Sequence, residues 1–293
     1  MGADDGRLVL GMKRVRGIAA VRRIVAGWKR RGDSVAFVPT MGAIHDGHEG
    51  LMRRARARSK RLVVSIFVNP LQFGPGEDFR RYPRPIARDR RRIAEVGADL
   101  LWEPGVADLY DDPDRTRVRV QGLDRGLEGA SRPGHFEGVA TVVTKLLNAV
   151  LPDVLWLGQK DAQQARLLEQ MIADLRLPVR VRRGRTVREP DGLACSSRNA
   201  YLSREERAQA VALYLGLMVA RRALQGGERS ARGIVARVRR AWRAYPRVRE
   251  EYVAVVDAKS LEPVRSVERR TLVAVAARVG RTRLIDNFEW EPR

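Results

Sequence analysis

The chain is poor in cysteine, in histidine and in uninterrupted apolar sequence, and each shortage closes off a class of protein. With one cysteine, Cys195, an intrachain disulfide is excluded, which fits a reducing compartment. No run of about 18 or more apolar residues occurs, so no helix is expected to span a membrane. The first residues, MGADDGRLVLGMKR, carry two acids early and lack a long apolar stretch, so they do not read as a secretory signal. A cytoplasmic location is therefore expected. Acidic residues are also scarce, 35 against 57 Lys plus Arg, for a formal charge of +22. A field of that sign attracts polyanions. The basic residues are nearly all arginine, however, and are dispersed without a lysine tract, an Arg–Gly repeat or a basic tail. That pattern reads as compositional bias, and no nucleic-acid partner is expected.

What is present suits a globular enzyme. Hydrophobic residues make up 44% of 293, enough for a sizeable core and for two domains of unequal size. Residues 15–31 place apolar residues at helical spacing with Arg and Lys opposite. SVAFVP and LVVSIFVNP read as buried strands closed by proline, with the helix EGLMRRARARSKR between them. That order implies a parallel pair with a crossover helix. Residues 71–85 read as a surface loop, IARDRRRIAEVGA as a helix and DLLWEP as a third strand. After a polar, Gly-rich stretch at 122–138 come the helix GVATVVTKLLNAVLP, the strand DVLWLG, the helix DAQQARLLEQMIADLRL and a fifth strand, VRVRRGRTVRE. The alternation predicts a doubly wound α/β domain over 1–187. Over 188–293 the pattern changes to two helices, 203–225 and 230–245, and three strands, EYVAVVD, TLVAVAARV and TRLIDNFEW. Two of these are expected to pair antiparallel across Gly280–Arg281, giving a smaller α+β domain.

Four stretches carry chemistry. The first predicted strand ends in Pro39-Thr40-Met41-Gly42-Ala43-Ile44-His45-Asp46-Gly47-His48, a loop that opens a helix. The C-terminal edge of a parallel strand is where α/β folds bind ligands, and a helix start offers free N–H groups to an anion. His45 and His48, three apart, face one side of the first turn, and Gly47 removes a side chain where a base can lie against the backbone. Paired imidazoles there can steady the charge that grows on a phosphate under attack. The plainer alternative is two histidines satisfied at a helix cap. At the end of the fourth strand, within Leu157-Gly158-Gln159-Lys160-Asp161-Ala162-Gln163-Gln164, Lys160 stands like a phosphate-binding lysine. Asp161 can accept from a ribose hydroxyl, and Gln164 lies one turn on; a Lys–Asp pair at a helix start is also a common surface feature. In Asp191-Gly192-Leu193-Ala194-Cys195-Ser196-Ser197-Arg198-Asn199, the serines and the guanidinium can wrap a polyphosphate, although an ordinary N-cap would look the same. Cys195 has no base near it in sequence and is not read as a nucleophile. Finally, Asn69 and Gln72 in Asn69-Pro70-Leu71-Gln72-Phe73 suit neutral hydrogen bonding to a small hydroxy acid.

Together PTMGAIHDGH, VSIFVNPLQFGPGEDFRRYPR, EGASRPGHFEGVATVVTKLLN, LGQKDAQQ, TVREPDGLACSSRNAYLS, YVAVVDAKSLEPV and GRTRLID resemble the pantothenate synthetase (pantoate–β-alanine ligase) family, in its order and spacing over most of the chain. The resemblance implies a Rossmann-like domain of the HxGH nucleotidyltransferase superfamily, a smaller C-terminal domain closing over the active site, and a homodimer. It implies that ATP and pantoate form pantoyl-adenylate, that β-alanine displaces AMP, and that Mg²⁺ is required. Carried over, Met41, Gly42, Ala43, Ile44, His45, Asp46, Gly47 and His48 would bind ATP, as would Gly158, Gln159, Lys160 and Asp161. Val187 with Cys195, Ser196, Ser197 and Arg198 would hold the adenine side and the triphosphate. His48, His45, Lys160 and Arg198 would be catalytic, Gln72, Gln164 and Asn69 would bind substrate, and the loop near Gly74–Pro83 would be a gate. Three places depart from the pattern: Arg183 and Arg185 replace a Gly-x-Pro, Cys195 replaces a methionine, and Glu49-Gly50 replaces a typical Leu-Ser. These departures leave open a related ligase for another acid or amine. A tRNA-synthetase-like module is the more distant alternative, and no KMSKS-like segment supports it.

Overall fold

The computed structural model describes residues 11–292, so most of the N-terminal segment read above as no secretory signal lies outside the described residues. In chain order the elements are β1 (Lys13–Val15), α1 (Ile18–Arg30), β2 (Val35–Thr40), α2 (Asp46–Arg56), β3 (Arg61–Ile66), α3 (Ile86–Glu95) and β4 (Leu100–Trp102). The short α4 (Val106–Leu109) and α5 (Glu128–Ser131) precede α6 (His135–Val150), β5 (Val154–Gly158), α7 (Ala162–Asp174) and β6 (Arg180–Gly184). The remainder forms α8 (Arg204–Ala210), α9 (Ala212–Gln225), α10 (Ala231–Trp242), β7 (Val248–Asp257), β8 (Thr271–Val279) and β9 (Thr282–Trp290).

The chain divides into two compact units. The first holds the described residues up to Asp124 with Ser131–Gly158 and Gln164–Arg185; the second holds Arg125–Ala130, Gln159–Gln163 and the described residues from Thr186 on. In the first unit six parallel strands form one sheet in the order β1-β4-β3-β2-β5-β6. The expected doubly wound α/β architecture is therefore present. The inner strands are apolar along their length because both faces are covered: Val35–Val38, Leu62–Val64 and Leu100–Trp102 are fully buried. Helix α1 presents Val21, Val25 and Trp28 to the core at helical spacing and its cations to solvent. From β2 the chain goes to β3 and β4 on one side, and returns to β5 on the other. The C-terminal ends of β2 and β5 thus flank the topological switch point, where such sheets bind ligands.

In the second unit β7, β8 and β9 form an antiparallel sheet with β8 central, covered by α9 and α10. Gly280 turns the β8–β9 hairpin with φ +59°, and a Cβ there would run into the Glu206 carboxylate. Gly216 lets α9 approach Trp242, whose indole N–H donates to the Ala212 carbonyl at 2.7 Å. The antiparallel pair across Gly280–Arg281 is as expected.

One strand was missed and three local expectations are corrected. Strand β1 was not foreseen, since three residues carry no period and its hydrogen bonds go to β4, far along the chain. The predicted helix over 203–225 is two helices that meet at Val211. The stretch at 122–138 contains α5 and the start of α6. The fifth strand stops at Gly184 rather than running on to Glu189. Among the described residues no helix is long and apolar enough to cross a membrane.

Candidate active site

The His45–His48 loop starts where β2 ends. The Thr40 hydroxyl donates to the Ser65 carbonyl (2.7 Å) and accepts from the Gly42 amide (3.1 Å), turning the chain out of the sheet. Gly42 and Ala43 both take left-handed backbone angles, φ +81° and +50°. For alanine that conformation costs energy and persists only where neighbours enforce it. Asp89 of α3 does so: its carboxylate accepts the Ala43 and Ile44 amides, each at 2.8 Å. Asp89 is fully buried, and that burial raises its pKa above the ordinary carboxylate value against the pull of the two amides and of Arg88 and Arg92. His45 then caps α2, its Nδ1 accepting the Gly47 amide at 3.1 Å, which places the neutral ring's proton on Nε2. The His45 and His48 rings lie 4.0 Å apart between centroids, on one side of the first turn as their spacing requires. His45 is thus a cap as well as a candidate phosphate ligand.

Asn69 caps the 3₁₀ turn Pro70–Gln72 after β3, Gln72 ends it, and both are buried. Asn69 is engaged by the protein on all sides. Its Nδ2 donates to Gln72 Oε1 (3.2 Å) and to the Gly138 carbonyl (3.0 Å), and its Oδ1 accepts from Tyr110 Oη (2.8 Å) and the Leu71 amide (3.3 Å). The Gln72 amide Nε2 meets Met41 Sδ at 2.9 Å, so the turn touches the His45–His48 loop. The Gln72 carbonyl accepts from Arg132 (3.2 Å) and from His135 Nδ1 (2.7 Å). Because Arg132 donates to His135 Nε2 at 3.0 Å, this ring carries its proton on Nδ1. Gly138 is required here, since a Cβ would strike the Leu71 carbonyl. Arg132 also forks onto Glu77 in the 74–83 loop, both contacts at 2.7 Å.

Gly158 ends β5, the neighbour of β2, and Gln164 sits half-buried in the first turn of α7. The turn Gln159–Asp161, in the second unit, is held from β9: Asn287 Nδ2 donates to the Lys160 carbonyl (2.7 Å) and Gln159 Nε2 to Glu289 (3.1 Å). The segment from Val187 to Arg198 folds back on itself. The Cys195 amide donates to the Val187 carbonyl (3.0 Å), and Ser196 caps the turn Ser197–Tyr201 by accepting the Arg198 amide (3.3 Å). Arg188 secures it, pairing with buried Asp286 of β9 (2.5 and 3.1 Å), donating to the Gly192 carbonyl (3.1 Å) and stacking over Tyr214. Cys195 is buried at 7% exposure, an ill-placed position for a nucleophile. Lys160, Asp161 and the Val187–Arg198 segment therefore belong to the second unit, and Met41–His48, Asn69, Gln72, Gly158 and Gln164 to the first.

The family model described as pantoate-beta-alanine ligase matches residues 13–289. The chain belongs to that family. It is 47% identical to a pantothenate synthetase of Moorella thermoacetica over 96% of this chain and 99% of that protein. It is likewise 47% identical to one of Thermotoga neapolitana, over 94% and 99%. Among solved structures, a pantothenate synthetase from Thermus thermophilus superposes with a TM-score of 0.91 at 45% identity, over 96% of this chain and 100% of that one. A pantoate-beta-alanine ligase from Francisella tularensis, complexed with "Beta-gamma ATP" and beta-alanine, has a TM-score of 0.76 at 31% identity, over 94% and 97%.

Within this ligase family framework the unusual arginines find places. Arg183 is forked onto Glu169 of α7 (2.7 and 2.5 Å), which ties its guanidinium to that helix, and Arg185 is exposed. Gly184 between them lets the Leu51 side chain of α2 lie against β6, and a Cβ there would displace its Cδ1 methyl. Sequence reasoning missed Asp89, Tyr110, Arg132, His135, Asp286 and Asn287 as residues that hold the site. The one available signal was His135, the third histidine of a chain that has only three.

Proposed function

We propose that this chain condenses pantoate with β-alanine to pantothenate at the expense of ATP, through a pantoyl-adenylate. The observation that carries the reading is the adjacent His45–His48 pair at the start of α2, after the C-terminal end of a strand flanking the switch point, in a chain of this family. In the first step a pantoate carboxylate oxygen attacks the α-phosphorus, the bond to the bridging oxygen breaks, and pyrophosphate leaves. In the second, the uncharged amine of β-alanine attacks the acyl carbon, AMP leaves with the electron pair of the broken C–O bond, and the amine gives up a proton. The chemistry asks the protein for positioning and charge stabilisation more than for acid–base groups.

Met41 to His48 and Gly158 to Asp161 hold ATP, with His45, His48, Lys160 and Arg198 stabilising the charge that builds on the phosphates. Val187 and Cys195 to Arg198 serve the adenine side and the triphosphate, and Gln72 and Gln164 orient pantoate. Asn69, with its amide already engaged, acts by setting Gln72. The 74–83 loop, latched by Arg132, would keep water from the adenylate, which hydrolyses readily. Mg²⁺ would be held mainly by the phosphates of ATP. The protein is proposed to be cytoplasmic and a homodimer. Pyrophosphate exchange that depends on pantoate tests the reading, with His48→Ala and Lys160→Ala expected to abolish it while the thermal midpoint holds. Near-normal exchange in either variant refutes the role assigned to it. Turnover with another acid or amine, and none with pantoate and β-alanine, shifts the assignment to a related ligase.

A further inference from the structure

Two carboxylates stand in the first turn of α2, Asp46 and Glu49. Acids there suit the helix dipole, but they oppose an incoming polyphosphate at the same helix end. Both are met by one residue of α3, and Glu49 is faced as well by the exposed Arg53 of its own helix at 3.5 Å. Arg92 reaches Asp46 Oδ1 through Nη2 at 2.6 Å, pairs with Glu49 through Nε, and donates from Nη1 to the Ile44 carbonyl at 3.1 Å. Arg92 and Glu49 are 17% and 18% exposed, so little water screens the pair, whereas Asp46 is 74% exposed. One turn earlier on the same helix, Asp89 holds the Ala43 and Ile44 amides. Helix α3 therefore grips the loop at five points through two side chains three residues apart. Glu49 is the more buried of the two acids, so its charge depends on an answer from the protein.

We propose that α3 is the positioning element of the His45–His48 loop and that Arg92 is its electrostatic member, cancelling Asp46 and Glu49 so that an anionic nucleotide meets the α2 amides without two opposing negative charges. The inference rests on the ligase reading, specifically on the assignment of Met41–His48 to ATP. Arg92 touches no substrate in this scheme. It differs from a packing residue in one respect: its loss is repaired by removing the charge it answers.

Arg92→Met keeps the apolar stem and deletes the charge. In pantoate-dependent pyrophosphate exchange its KM for ATP is expected to rise about tenfold, with kcat within about threefold, as expected when Asp46 and Glu49 are left with only the exposed Arg53 against them. Raising the salt from about 0.05 to 0.5 M should shrink that rise, because screening weakens the exposed charge. Adding Glu49→Gln to Arg92→Met should recover most of the lost affinity. A packing role predicts the opposite, since the second substitution removes a further contact. An unchanged KM in a folded Arg92→Met protein, or no recovery in the double variant, overturns the inference. If Arg92→Met does not fold, Arg92→Lys, which keeps the charge and loses the fork, is expected to hold the KM for ATP within about threefold of wild type, and a rise of about tenfold in that variant overturns the inference. Equilibrium dialysis with ATP and Mg²⁺ separates the two levels. A wild type that binds ATP without turning over pantoate removes the substrate assignment, and dialysis on the variants still judges Arg92. A wild type that binds no ATP overturns both.

Discussion

A buried aspartate secures a loop in each unit, but the grip differs. Asp89 holds the His45–His48 loop by its backbone, taking two successive amides directly. Asp286 holds the Val187–Arg198 segment at one remove, through Arg188, which carries the contact on to the Gly192 carbonyl and the Tyr214 ring. A backbone grip does not depend on which side chains stand at 43 and 44, so it survives variation in the loop and fails only at the carboxylate. A side-chain grip fails at either end, and half of it left behind is a charge in a poorly hydrated place. Burial pushes the Asp286 carboxyl up while the Arg188 guanidinium pulls it down, so each ion depends on the other.

The largest expected effect follows from that dependence. Asp286→Ala leaves Arg188 unanswered and should cost about 3–5 kcal/mol in urea unfolding, whereas the paired change Asp286→Leu with Arg188→Met should recover much of the loss. Asp89→Ala orphans two amides and should cost less, about 2 kcal/mol. The reverse ranking would mean that the backbone grip is the stronger of the two. Smaller again is Tyr110→Phe, which removes the hydroxyl behind Asn69. About 1 kcal/mol is expected in stability. Because Asn69 sets Gln72, the KM for pantoate should rise severalfold while that for ATP stays put. A rise in both, or in ATP alone, would show that Tyr110 does not act through the Asn69–Gln72 turn.

These grips were the part of the site that the sequence concealed. The strands of the parallel sheet announced themselves because burial on both faces leaves runs such as Val-Ala-Phe-Val. The His45–His48 loop did so because a strand closed by proline passes into a helix. The partners that hold the loops lie far away in the chain: Asp89 is 46 residues from Ala43, and Asp286 is 98 from Arg188. No spacing rule reaches across such distances. The same remoteness hid the use of the arginines. Arg92, Arg183, Arg188 and Arg207 read as part of a dispersed excess of charge, yet each answers particular acids in the fold. Strand β1 was invisible for a related reason, since its existence depends on β4 rather than on its own three residues.

The smallest effect expected is one of pH, and here the two units should differ in sign. Asp257 in the second unit accepts the Lys259 and Ser260 amides (2.9 and 2.7 Å) and the Ser260 hydroxyl (3.1 Å). Those bonds, led by the Ser260 amide, hold its pKa below 3.8. Its contribution to stability is therefore complete above pH 3.8 and is lost as pH falls through the folded-state value. Asp89 in the first unit has its pKa raised, chiefly by burial, so its ionised form is the disfavoured one in the fold. Its titration contributes stability below pH 3.8 that is lost as pH rises through the raised value. Measured against pH, the gap between wild type and Asp257→Asn should close on acidification, from about 1 kcal/mol at neutrality. The gap between wild type and Asp89→Asn should widen over the same acid range. Parallel movement of the two gaps would show that burial does not dominate at Asp89 and that its two amides outweigh the loss of water.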